Sequence, residues 1–92
     1  MYVKVKDIVS KCTEKSEGLI IYQHCQCFTG DDTMIKIDFE GIVNVTEDFV
    51  FGFLGQFPPN EKEVINRIQY VRVQTYIKTR FKRVTKQIMA VH

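Results

Sequence analysis

The chain has 92 residues, 45% of them hydrophobic and 26% charged, with a net charge of +2, which suits one domain over 1–92 with a single modest core. No apolar run reaches the roughly 18–20 residues that a bilayer crossing needs, so a helical membrane span is excluded. Three cysteines without framework spacing read as free thiols in a reducing, cytoplasmic setting.

The charge is unevenly placed. Residues 1–63 carry six Lys/Arg and all eleven Asp/Glu, a net of −5, whereas residues 64–92 carry seven Lys/Arg and no acid, a net of +7. Such asymmetry marks either an anionic partner or one solvated helix.

In chain order, residues 2–9 alternate and predict a half-buried strand with Val3 and Val5 inward, not a signal peptide. Ser10 to Ser16 is polar and reads as a loop. Residues 17–28 can be read as strand or helix. A helical crossover between two strands is favoured, with Ile20, Ile21, His24, Cys27 and Phe28 on one face and Leu19, Gln23 and Gln26 opposite. Thr29 to Asp32 supplies the stop, with Gly30 as a left-handed cap.

Residues 33–39 predict a central strand apolar enough to be covered on both faces, and Gly41 a turn that a Cβ would hinder. Thr46 reads as the N-cap of a helix over 47–57, with Glu47 and Asp48 in the first turn, where acids complement the helix dipole. On a helical wheel Phe49, Val50, Phe53, Leu54 and Phe57 form the sheet-facing side. Asp48, Phe51, Gly52 and Gly55 fall opposite, and Pro58 and Pro59 end the helix. Residues 67–73 alternate as a third strand near an edge. Residues 75–91 predict an amphipathic helix whose apolar stripe is Ile77, Phe81, Val84, Ile88 and Val91. The order is β-α-β-α-β-α, a small α/β domain with helices packed on a sheet.

The stretch Ile37-Asp38-Phe39-Glu40-Gly41-Ile42, followed by Val45-Thr46 and Phe49, resembles the signature of STAS-like domains, relatives of the STAS domain of bacterial anti-sigma-factor antagonists. The element order is compatible over residues 2–90, while the specific signature covers 35–57. The resemblance implies a regulatory module that binds an ATPase-fold kinase or an anti-sigma factor, in which a serine at the start of that helix is phosphorylated. Aligned on the Asp-x-x-Gly turn, Thr46 takes the family's aspartate position and Glu47 and Asp48 its serine pair. Neither of those two carries a hydroxyl, so a phosphoserine switch there is impossible. Binding is then constitutive or regulated otherwise, and the fixed carboxylates carry less charge than a phosphate.

The partner-binding residues expected from this reading are Thr46, Glu47, Asp48, Phe51, Gly52 and Gly55, with Phe51 as a central aromatic among small neighbours. A second copy of the chain could occupy the same patch, and the bland reading has Phe51 packed under a loop or simply exposed without function. The alternative function is nucleic-acid binding through Lys78, Arg80, Lys82, Arg83 and Lys86, set against an ordinary solvated face. A small mobile-element inhibitor of a host complex also fits the size, with no residue selecting it. No cofactor or metal is expected. On a helix Cys25 and Cys27 point apart and cannot chelate one ion together, so the His24-Cys25-Gln26-Cys27 stretch with Cys12 does not read as a metal site, and His92 adds no second paired cluster. Asp38, Glu40, Glu47 and Asp48 lack a partnering group for acid–base catalysis, so no enzyme is expected, and Asp38 is assigned to the Gly41 turn.

Overall fold

Alternation of Val3, Ile35, Ile37 and Ile68 with Tyr2, Lys36 and Gln69 sets the two sides of a sheet: the first set is buried and the second exposed. The computed structural model describes residues 2–26, 34–58 and 62–90. In order these form β1 (Tyr2–Lys4), a 3-10 turn (Val5–Asp7), α1 (Lys15–Gln26), β2 (Ile35–Asp38), α2 (Glu47–Leu54), α3 (Lys62–Asn66), β3 (Ile68–Val71) and α4 (Thr75–Ala90). The strands lie in the order β1-β2-β3, all parallel, with Val3 beside Ile37 and Ile37 beside Tyr70. Parallel neighbours cannot be joined by a hairpin, and α1 and then α2 with α3 make the two crossovers.

The small α/β expectation holds at this level. The expectation of a sheet covered on both faces does not. The aromatic rings of Phe39, Tyr70, Phe53 and Phe81 meet on the face of Ile37, with Tyr70 and Phe81 centroids 4.4 Å apart and Phe53 and Phe81 6.4 Å apart. Lys36 and Gln69 look to solvent on the other face, so among the described residues the domain is two-layered.

Several boundaries also move. The first strand stops at Lys4, and Val5 and Val9 reach the core through a turn instead. The helix expected over 47–57 ends at Leu54: the Gly55 N–H makes the last i→i−4 bond, to the Phe51 carbonyl, and the Gln56 and Phe57 N–H groups then bond only three residues back, to Phe53 and Leu54, at 3.4 Å each. In α1 the buried residues are Glu17, Gly18, Ile21, Tyr22 and Cys25, so Ile20 and His24 face outward rather than inward. Cys27, Phe28, Gly30 and Val91 lie outside the described residues. The five-residue α3 was not anticipated. It places Val64 and Ile65 in the core but is too short to show a helical period.

The helix starts are tied together. Glu17 Oε1 accepts the N–H groups of Thr13 and Glu14, each at 2.9 Å, which satisfies donors at the head of α1. Cys12 and Val45 form a parallel bridge, and the Thr46 N–H donates to the Cys12 carbonyl at 3.1 Å. The loops after β1 and β2 therefore run side by side into α1 and α2.

Candidate interaction surfaces

Thr46 is extended at φ −88° and caps α2, accepting the Phe49 N–H at 3.3 Å. The same hydroxyl donates to the Thr13 carbonyl at 2.8 Å, so it fastens α2 to the head of α1. Glu47 pairs with Arg83, and Asp48 is exposed. Phe51 is half-buried and packs against the core. Gly55 is exposed at the end of the helix.

Gly52 belongs elsewhere. A Cβ there would collide with the Lys15 carbonyl oxygen and stand 2.9 Å from its carbonyl carbon, while one on Gly18 would stand 2.7 Å from the Phe53 nitrogen. The two glycines let the backbones of α1 and α2 touch, which removes Gly52 from the outward patch expected of it. Thr46, Glu47, Asp48, Phe51 and Gly55 retain surface at or beside the first turn and outer side of α2. The second helical glycine, inside the apolar run after Glu17, was the available signal for this contact.

The basic face of α4 divides into two flanks on either side of the Ile77–Phe81–Val84 stripe. On one flank Tyr76 Oη–H donates to the Val43 carbonyl, Arg80 Nη1 donates to the Val45 carbonyl at 2.7 Å, and Arg83 meets Glu47. The Arg80 guanidinium also lies 5.7 Å from the Tyr76 ring centroid, within cation–π range. Three residues on successive turns of α4 thus clamp the segment entering α2. Val43 stands on that segment with 70% of its surface exposed, beside Tyr76 at 41%. On the other flank Lys78, Lys82 and Lys86 line a groove of about 860 Å³ shared with Ile65, Ile68 and Met89. The five cations expected to act together therefore do different things. Arg80 and Arg83 hold α2, while the lysines face β3.

The remaining polar groups are largely structural. Asp38, 1% exposed, accepts the Glu40 N–H at 2.8 Å and the Tyr2 hydroxyl, with Arg72 Nε 3.7 Å away. Arg72 also pairs with Glu40 and sits at φ 52°, an unusual conformation for a non-glycine residue. Gly41, at φ 82°, completes the turn assigned to Asp38. Burial pushes the Cys12 thiol up to about 12, with the Glu17 charge adding to it, and burial alone pushes Cys25 up to about 12. Thiols so held are poor nucleophiles. Burial, and then the nearby Cys25, raises the Tyr70 phenol, whose buried oxygen has no hydrogen-bond partner among the described residues. Among the described residues no three His, Cys, Asp or Glu side chains gather as metal ligands. No helix among them is long and apolar enough to cross a membrane.

Comparison with family models, with curated protein sequences and with solved structures finds no match to this chain.

Proposed function

We propose that this chain is a non-catalytic, STAS-like protein-interaction module that docks a partner at the start of α2. The observation that supports this reading is the clamp from α4. Tyr76, Arg80 and Arg83 hold the 43–47 segment, and the 70%-exposed Val43 projects from it. An apolar side chain on a pinned backbone loses little entropy when a partner covers it, which favours binding. Asp48 and the outer edge of Phe51 extend the surface along α2. The sequence resemblance suggests an ATPase-fold kinase or an anti-sigma factor as partner, and reversible sequestration as the mechanism. The Thr46 hydroxyl is already engaged with Thr13 and Phe49, so regulation at that position would have to break the cap.

The test is affinity capture from a lysate of the native host with the wild type and Val43→Asp, with nuclease treatment of a parallel sample. The substitution falls on an exposed side chain and should leave folding intact. A kinase or anti-sigma protein retained through nuclease, and lost with Val43→Asp, supports the module and names its target. Capture that ignores Val43→Asp but disappears with nuclease transfers the function to nucleic-acid binding. That second reading has the exposed row Lys78, Lys82 and Lys86 in its favour.

A further inference from the structure

The lysine flank of α4 and the outer edge of β3 are two walls of one groove, which the docking surface on α2 does not use. In the order β1-β2-β3, β3 has, among the described residues, a strand neighbour on one side only. The Ile35 N–H donates to the Arg67 carbonyl and the Phe39 N–H to the Val71 carbonyl, so the odd-numbered carbonyls of this strand face β2. Alternation along the strand turns the N–H and C=O groups of Ile68 and Tyr70 to the open edge. No hydrogen-bond partner for them occurs among the described residues. Opposite stand Lys78, Lys82 and Lys86, all exposed and without an ion-pair partner among those residues. Ile65, Ile68 and Met89 supply apolar lining.

We infer that this groove takes an extended, acidic peptide segment of a partner protein as a fourth strand beside β3. The open edge offers alternating donors and acceptors to a peptide backbone, the pairing mode of strand addition. The charge matches, since three cations line one wall and no acid among the described residues does. So does the spacing. Lysines four apart on a helix recur about every 6 Å along its axis, and every second residue of a strand recurs about every 6.6 Å. Carboxylates at alternate positions can therefore face successive lysines while the intervening side chains turn away.

Two other occupants fit less well. A second copy of β3 would bring a second lysine row against the first, and like charges beside an edge oppose such pairing. A single nucleic-acid strand would gain the lysines but no stacking ring. Tyr70 is packed between Phe39 and Phe81, at 6.3 and 4.4 Å between centroids, with its hydroxyl buried.

The experiment titrates ¹⁵N-labelled protein with a short synthetic peptide of alternating glutamate and valine, with the same peptide N-methylated at alternate residues, and with oligouridylate. The expected result is saturable binding of the first peptide, with slowed amide exchange at Ile68 and Tyr70. N-methylation should abolish binding, because it removes the backbone donors and leaves the charge. Lys82→Glu should weaken binding at least about tenfold, with the circular dichroism spectrum unchanged. Equal binding of the N-methylated peptide overturns strand addition. Tighter binding of oligouridylate, lost with Lys82→Glu, makes the groove a nucleic-acid surface instead. Failure of the acidic peptide to bind at all also overturns the inference. None of these outcomes involves Val43, so the reading of the α2 surface stands or falls separately.

Discussion

A methyl group at residue 52 would have to displace the backbone of residue 15. The Gly52 Cβ position stands 2.9 Å from the Lys15 carbonyl carbon, and backbone cannot swing aside as a long side chain can. Gly52→Ala should therefore destabilise the domain by about 2–3 kcal/mol, even though alanine has the better helix propensity by about 1 kcal/mol. Urea unfolding followed by circular dichroism measures it, and an unchanged or raised midpoint would remove Gly52 from the α1–α2 contact. The helical wheel put Gly52 on the outer side of α2 because a wheel knows one helix and one sheet. It cannot register a second helix approaching from the side. Thr46, by contrast, was legible as a cap from its type and the acids after it. Only its second bond, to Thr13, required the folded chain.

Among the elements, α4 makes different contacts on its two flanks, and charge reversal separates them. Arg83→Glu sets a second acid beside Glu47 and loosens the clamp on α2, with an expected loss of roughly 0.5–1 kcal/mol since both partners are half exposed. Lys82→Glu touches no acid among the described residues and should leave the unfolding free energy within about 0.5 kcal/mol of wild type. Hydrogen exchange of residues 43–47 is the sharper readout. It should quicken with Arg83→Glu and stay unchanged with Lys82→Glu. The same exchange rate in both variants would mean that the two flanks do not differ. The sequence showed five cations on one amphipathic helix. Their division depends on which loop and which strand lie beside each flank, and no helical period encodes that.

For the whole molecule, the buried thiols set an alkaline limit. Cys12 and Cys25 are raised from an ordinary 9.0 to about 12. Below pH 9 both are neutral folded and unfolded, and their burial carries no pH-dependent penalty. Between about pH 9 and 12 the unfolded chain releases protons that the folded chain keeps, so stability falls as pH rises through that window. Tyr70, also raised by burial, adds to the fall above the ordinary tyrosine range. A urea midpoint flat across this range would show that the thiols are open to water. Cys12→Ala combined with Cys25→Ala should flatten part of the slope. The same burial should keep both thiols slow to alkylate at neutral pH.

By itself the sequence determined the elements with their own period or punctuation. The amphipathic Ile77–Phe81–Val84 stripe of α4, the Thr46 cap and the apolar strand around Ile37 could all be read locally, because each is a repeat or a signal within a few residues. It also bounded the chain to one small α/β domain without an apolar stretch of membrane-crossing length. The tertiary structure decided what those elements face. It turned Ile20 and His24 outward, sank Gly52 against α1, left Lys36 and Gln69 exposed on one side of the sheet and, among the described residues, left β3 with an unpaired edge beside three lysines. The reason is that surface is a relation between elements. A residue's period fixes its direction from its own axis, and only packing fixes what stands in that direction.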